Sequence, residues 1–234
     1  MIRGKSVLCC AVVSNLLMLF LSLSLFHYVQ ADEIAPGFFR YPHTDGTSIV
    51  FTSEGDLWKV PIEGGNAIRF TTHEGGERFP HISPDGKWIA FTGQDDGQDD
   101  IYIIPIDGGE PHRLTYHPAR DQVVGWDNDG NILFRSNREI PYRGYQVYWI
   151  TPEGSFPESI GLDKCALISY EPDGERIAFN RYSREFRTWK GYKGGWAQDI
   201  WVGDIKKLQF ANVTDNPPIN EWDGTDAFPM WHTD

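Results

Sequence analysis

The sequence has 234 residues, of which 40% are hydrophobic and 14% aromatic, and it contains 24 glycines and 15 prolines. This composition excludes a disordered or collagen-like chain. The 33 acidic and 21 basic residues give a net charge of −12, which argues against nucleic acid as a partner. Abundant glycine, proline and aromatic residues favour short strands joined by tight turns, and therefore an all-β fold.

Residues 1–31 have the features of a secretory signal peptide. Arg3 and Lys5 form a positive start, residues 7–26 are largely apolar, and Ala31 is the small residue that a cleavage site requires. The sequence therefore predicts export, to the periplasm or out of the cell. Because this largely apolar stretch of 20 residues could also span a bilayer, an uncleaved N-terminal membrane anchor is the alternative.

A turn motif recurs along the rest of the chain at intervals of 40 to 44 residues, which is the period of propeller blades. Each Asp-Gly turn precedes a β-rich run that ends in an aromatic residue, and a second strand follows. Another glycine turn comes next in the first three units, and a short last strand closes the unit. With the strand ahead of the turn, each unit has four strands. The turns are Asp45-Gly46, Asp85-Gly86, Asp129-Gly130 and Asp173-Gly174. The runs after them are Ile49–Phe51, Trp88–Phe91, Ile132–Phe134 and Ile177–Phe179, and the next strands start at Asp56, Asp100, Gln146 and Asp199.

The predicted fold is therefore an all-β propeller of four-stranded antiparallel blades. One such sheet has two apolar faces and cannot cover either by itself, whereas radial stacking covers both. The sequence predicts an incomplete propeller over residues 32–234, with four blades and the first strand of a fifth. The approximate bounds are 38–77, 78–120, 121–161, 162–222 and 223–234, the last beginning a blade because Phe228-Pro229 repeats Phe79-Pro80.

Two stretches carry a resemblance to known proteins. Residues 80–91 resemble the repeats of TolB-type and peptidase-associated propellers. The fourth unit has an insertion from Arg181 to Gln198, and its residues 184–195 lead into Asp199-Ile200-Trp201. This arrangement resembles the fourth blade of the first propeller in tricorn-type serine peptidases, and the similarity extends over about residues 37–234.

The resemblance implies a propeller, expected to have six blades when complete, that gates or channels peptides. Tricorn-type proteins continue with a second propeller, a PDZ-like domain and a Ser/His peptidase core, and these domains are the expected partners, together with peptides and a homo-oligomer as an open possibility. The sequence has no Gly-x-Ser-x-Gly elbow and no His-Glu-x-x-His motif. No catalytic residue is therefore assigned in this chain.

Candidate channel residues are basic. The insertion offers Arg184, Arg187 and Lys190, which could attract a peptide carboxylate, although packing against the adjacent blade is the simpler interpretation of this segment. In the tricorn family, basic side chains of the loop that matches Tyr116 to Gln122 hold the C-terminus of a peptide. Here that loop offers only Arg120, next to Asp121.

No cofactor or metal site is predicted. The cluster of Asp95, Asp96, Asp99 and Asp100 lacks the alternating spacing of a calcium loop and is expected to be a solvated hairpin tip. Cys165 is the only cysteine after the signal segment and is expected to be a buried small hydrophobe. The sequon at Asn212-Val213-Thr214 is more simply the end of a closing strand.

Two other functions stay open at this stage. One is an exported TolB-like propeller that binds a protein partner and has no peptidase domain. The other is the propeller of a prolyl-oligopeptidase-type enzyme, against which the insertion in the fourth unit argues. The sequence that follows residue 234 would distinguish them, because only a tricorn-type protein continues into a PDZ-like domain and a Ser/His core.

Overall fold

A computed structural model describes residues 37–140, 144–172, 174–183, 196–214 and 226–231. One compact unit comprises Phe38–Asp234. Its described residues form strands and turns, and none of them is helical. The all-β prediction is therefore confirmed.

The strands form four antiparallel sheets, each made of four strands that are consecutive in the chain. Blade 1 contains β1 (Arg40–Thr44), β2 (Ser48–Ser53), β3 (Asp56–Pro61) and β4 (Ile68–Arg69). Blade 2 contains β5 (Arg78–Ile82), β6 (Trp88–Gly93), β7 (Asp100–Pro105) and β8 (His112–Arg113). Blade 3 contains β9 (Asp121–Trp126), β10 (Ile132–Ser136), β11 (Gln146–Ile150) and β12 (Glu158–Ser159). Blade 4 contains β13 (Leu167–Tyr170), β14 (Arg176–Asn180), β15 (Ile200–Asp204) and β16 (Gln209–Asn212).

The first strands of successive blades contact one another, so β1, β5, β9 and β13 lie next to each other on the inside. Each is also an edge strand, hydrogen-bonded to only one neighbour in its own sheet. This is the radial arrangement of a β-propeller. The four predicted central runs all lie within second strands, as the turn spacing indicated.

The core consists of three apolar layers, one between each pair of adjacent blades. Successive side chains of a strand point to opposite faces, and the middle blades use both faces. In β10, Ile132 and Phe134 pack against blade 2, whereas Leu133 packs against blade 4. Cys165 is fully buried in the same layer as Leu133, which confirms the interpretation of this residue as a small core side chain.

A polar motif repeats at the start of the third strand in blades 1, 2 and 4. In each, a threonine lies two residues beyond the closing strand, and its hydroxyl accepts an N–H of the third strand at 2.9 to 3.0 Å. These threonines are Thr71, Thr115 and Thr214. Two residues before each threonine, a second side chain binds an aspartate that begins the third strand in blades 1 and 2 and directly precedes it in blade 4. These pairs are Arg69 with Asp56, Arg113 with Asp100 and Asn212 with Asp199. Asn212 and Thr214 are therefore engaged in blade structure.

Residues 226–231 include Phe228-Pro229, which repeats the Phe79-Pro80 pair of β5, but they form no strand. The Asp226 N–H donates to the Gln198 carbonyl at 3.1 Å. The Trp231 indole donates to the Ser169 carbonyl at 3.0 Å. This short segment is thereby fixed against blade 4.

Candidate functional site

A cavity of about 1060 Å³ lies where the first strands meet. Among the described residues, its walls come from β1, β5, β9 and β13, the turns that follow them, Arg135 on β10 and residues 228–230. Most of these side chains are apolar or aromatic. Because each wall strand is the edge of its sheet, the cavity follows the strand edges and corresponds to the central channel of the propeller.

Two wall strands are interrupted at equivalent places by an aromatic-proline pair. The pairs are Tyr41-Pro42 and Phe79-Pro80, and the register with the neighbouring strand shifts across each of them. Tyr41 has φ 53° and Phe79 has φ 54°, and Phe228 before Pro229 has φ 59°. Bulky residues rarely adopt positive φ, and a following proline disfavours helical conformations further. A bulge in a strand redirects the side chain of the bulged residue. The rings of Tyr41, Phe79 and Phe228 all line the cavity.

Two of these rings and one guanidinium form a continuous contact, which we call the aromatic collar: Tyr41, Phe79 and Arg135. The Tyr41 and Phe79 ring centroids are 4.3 Å apart with a tilt of 48°. The Arg135 guanidinium lies 6.0 Å from the centre of Phe79 and 5.0 Å from that of Tyr145. Arg135 lines the cavity and is only 9% exposed, so its positive charge is held within the cavity wall.

Arg135 is positioned by a chain of polar contacts. Its Nε donates to Gln122 Oε1 at 2.9 Å, and Gln122 Nε2 donates to Asp99 Oδ2 at 2.8 Å. Asp99 in turn forms a 2.6 Å ion pair with Arg78. Gln122 and Asp99 therefore connect the guanidinium of Arg135 to Arg78, the first residue of β5.

Two histidines face each other on neighbouring wall strands. The His43 and His81 rings are 4.6 Å apart, and His43 Nδ1 accepts the Ile82 N–H at 3.2 Å. Burial lowers the pKa of both imidazoles, and for His81 it does so strongly. The His81 carbonyl accepts the Trp126 indole N–H at 3.0 Å. At neutral pH these imidazoles are uncharged and connect the wall strands.

The charged lining residues are separated along the channel. Arg40 begins β1, and Arg135 pairs with Gln122 near the start of β9. Asp45 and Asp127 directly follow the ends of β1 and β9. The Ser48 N–H is the main cause of a lowered pKa at Asp45, which keeps that carboxylate ionised. The channel thus has a basic end and an acidic end.

The sequence-predicted channel residues lie elsewhere or cannot be placed. Arg120 is exposed in the loop before β9, its backbone N–H donates to Asn137 Oδ1 at 3.2 Å, and it is not one of the described cavity-lining residues. Arg184, Arg187 and Lys190 lie outside the described residues. Their roles stay predictions. The collar was not predicted from the sequence. Four aromatic-proline dipeptides occur in the chain, and the three that begin at Tyr41, Phe79 and Phe228 were a usable signal for it.

The aspartate cluster before β7 is occupied by contacts within the protein. Asp96 and Asp100 both pair with Arg113, at 2.6 and 2.7 Å. Asp95 lies 3.0 Å from the His73 imidazole. Within the described ranges, no three His, Cys, Asp or Glu side chains converge as a metal site. The same residues include no helix long and apolar enough to cross a membrane.

Comparison with known proteins identifies the propeller. The profile of the tricorn protease N-terminal β-propeller domain matches residues 36–234. Tricorn protease homolog 1 of Streptomyces coelicolor is 31% identical over 208 residues, which cover 84% of this chain and 18% of that protein. A putative tricorn-like protease N-terminal subunit of Sulfurisphaera tokodaii is 31% identical over 177 residues, or 73% of this chain and 88% of that protein.

Solved structures agree with the sequence comparison. The crystal structure of the tricorn protease matches with a TM-score of 0.68 and 25% identity, covering 76% of this chain and 18% of that one. TolB from Acinetobacter baumannii matches with a TM-score of 0.58 at 18% identity, over 80% of this chain and 45% of TolB, and shows the fold alone. The chain spans less than a fifth of the S. coelicolor relative and of the tricorn protease structure. On these matches, it belongs to the tricorn protease N-terminal β-propeller family.

Proposed function

We propose that this propeller is the N-terminal module of a tricorn-type protease and that its channel filters short peptides moving to or from a peptidase core outside this chain. The family membership supports a role in proteolysis. The observation that carries the channel role is the construction of the wall, where edge strands surround a largely apolar cavity.

Edge strands are a hazard in a peptide channel, because their unpaired N–H and C=O groups can capture an extended chain as an extra strand. Here Pro42 and Pro80 remove a donor from two of the edges. Side chains of adjacent wall segments occupy other backbone groups: His43 binds the Ile82 N–H, Trp126 the His81 carbonyl and Trp231 the Ser169 carbonyl. Such a wall favours passage of a peptide over its capture.

Hydrolysis is assigned to the core and not to the propeller. Burial raises the pKa of the Cys165 thiol far above neutrality, so it stays protonated and is a poor nucleophile. We expect the purified chain to give only background with a panel of fluorogenic peptides. Activity that survives repurification and is removed by one substitution within residues 32–234 would contradict this assignment.

The channel role can be tested by photocrosslinking. Acetylated tetrapeptides that carry a benzophenone side chain should crosslink to wall residues such as Pro80 and Leu167 when irradiated with the purified chain, and mass spectrometry maps the products. A bulky substitution in the wall, Ser169→Trp, should reduce this crosslinking severalfold. The matched control is Ser159→Trp, which places the same ring on the exposed outer strand β12.

The outcomes separate the two candidate functions. Crosslinks on the wall that the Ser169→Trp variant loses, while Ser159→Trp keeps them, support the channel. Peptides that crosslink only to outer loops, or not at all, would contradict it and would favour the TolB-like alternative, a protein-interaction module. Thermal melting of both variants checks that they are folded.

Export remains part of the proposal. If residues 1–31 act as a signal peptide, N-terminal sequencing of exported protein should begin at Asp32. Recovery of Met1 on membrane-bound material would instead establish the N-terminal anchor.

A further inference from the structure

We propose that the aromatic collar is a selectivity constriction that binds aromatic side chains of peptides in the channel and disfavours lysine and arginine side chains. The inference rests on the proposed channel function and adds a ligand class to it. Its residues are Tyr41, Phe79 and Arg135.

The first support is the backbone. Tyr41 and Phe79 occupy equivalent bulges in β1 and β5, and both have the positive φ that bulky residues avoid. A strained conformation persists only where the surrounding structure enforces it, and such residues concentrate at ligand clamps. Neither ring is needed to fill an interblade layer, since the three core clusters are composed of other residues. Repetition of the strained bulge thus places aromatic faces on the channel wall.

The second support is the chemistry that the collar presents. The tilted pair of rings, with centroids 4.3 Å apart, offers edges and faces to a third ring, and aromatic pairs prefer such offset or tilted geometries. Arg135 lies against Phe79 within the wall. Its guanidinium can stack on a peptide ring, whereas its charge opposes a cationic side chain at the same place.

The test is equilibrium binding of four fluorescein-labelled tetrapeptides to the purified chain. They share an alanine background and carry phenylalanine, leucine, alanine or lysine at the third position. By fluorescence anisotropy, we expect the phenylalanine peptide to bind about five- to tenfold more tightly than the alanine peptide, since stacking adds to burial of the ring. Leucine should be intermediate and lysine the weakest.

Phe79→Gly is the main variant, because glycine tolerates the positive φ while the ring is lost. We expect the ratio of phenylalanine to alanine affinity to fall below about twofold, the benefit of one aromatic contact having been removed. Tyr41→Leu, which keeps apolar bulk, provides a second measurement should Phe79→Gly fail to fold. The matched control is Phe156→Ala, a ring that is 88% exposed and is not among the described lining residues; it should leave the ratio unchanged.

Failure of the collar and failure of the channel are distinguishable. Equal affinities for the phenylalanine and alanine peptides, together with crosslinks on the wall, would overturn the collar and leave the channel. Absence of peptide binding and of crosslinks would overturn both. A phenylalanine preference that persists in a folded Phe79→Gly or Tyr41→Leu variant would also overturn the collar.

Discussion

The junction between blades 2 and 3 and the junction between blades 3 and 4 have the same backbone link but different side chains. At the first, the Asp121 N–H donates to the Asp99 carbonyl at 2.8 Å. At the second, the Cys165 N–H donates to the Tyr145 carbonyl at 2.9 Å. Asp121 and Cys165 are both completely buried, one as an acid and the other as a thiol.

The side chains around these two positions follow the same division. Asp121 forms a 2.6 Å ion pair with Arg138, whose guanidinium also stacks on Tyr148 at 4.8 Å. Cys165 packs in an apolar layer with residues such as Leu133 and Ile177. The backbone link is thus part of the propeller design, and either a paired charge or a small apolar group can fill the space beside it. Only the buried carboxylate of Asp121 needs a partner of opposite charge to be stable there.

The largest expected effect tests that dependence. Asp121→Ala leaves the mostly buried Arg138 guanidinium without its carboxylate, and removing one partner of a buried pair costs about 3 to 5 kcal/mol. Cys165→Ala, the matched change at the other junction, removes one sulfur from an apolar layer and should cost about 1 kcal/mol. Urea denaturation of both variants measures the difference. Equal losses would show that the Asp121 pair contributes no more than packing does.

At the junction between blades 1 and 2, the equivalent position is held by an ionisable residue, Glu77. Glu77 corresponds to Asp121 of the next junction, and its N–H donates to the Gly55 carbonyl. Its carboxylate accepts hydrogen bonds from the Leu57 N–H and the Thr71 hydroxyl. Burial raises the pKa of Glu77 to about 7, and it outweighs the two hydrogen bonds, from the Thr71 hydroxyl and the Leu57 N–H, that lower this pKa. Asp56 adds slightly to the rise, and His73 opposes it weakly.

A raised pKa means that the folded chain binds this proton more tightly than the unfolded chain. The contribution of Glu77 to stability should therefore be complete below about pH 4.5 and decline as the pH rises through about 7. The decline is at most about 3 kcal/mol. Urea denaturation from pH 4.5 to 7.5 measures it, with Glu77→Gln as the control that removes this titration. A wild-type stability that rises relative to Glu77→Gln over this interval would contradict the prediction.

The sequence predicted the blades well because turns and alternation are local. The Asp-Gly pairs and the β-branched runs located the central strands of all four blades. The burial of Cys165 was predicted, but the two junction carboxylates were not. Glu77, Asp121 and Cys165 occupy equivalent positions in successive blades and share no residue type, so no sequence pattern marks the position. The collar was missed for a related reason: Arg135 directly follows a core run and looks like a strand residue, and its place in the channel wall depends on how blades 2, 3 and 4 meet.

The smallest expected effect comes from removing single indole hydrogen bonds, one between two blades and one within a blade. Trp126 Nε1 donates to the His81 carbonyl of the neighbouring blade, and Trp58 Nε1 donates to the Ser53 carbonyl of its own blade. Trp126→Phe and Trp58→Phe each keep a ring and remove one hydrogen bond, so each should cost about 1 kcal/mol in the free energy of unfolding.

The two tryptophan variants should differ in where the structure loosens. Without the Trp126 bond, the first strands β5 and β9 lose a connection, and amide hydrogen exchange should accelerate in both blades 2 and 3. Without the Trp58 bond, faster exchange should be confined to blade 1, because each blade is stabilised mainly by its own ladder and its nearest neighbours. Hydrogen exchange followed by mass spectrometry resolves the strands. If Trp126→Phe accelerates exchange only in blade 3, the indole bond does not couple the two blades.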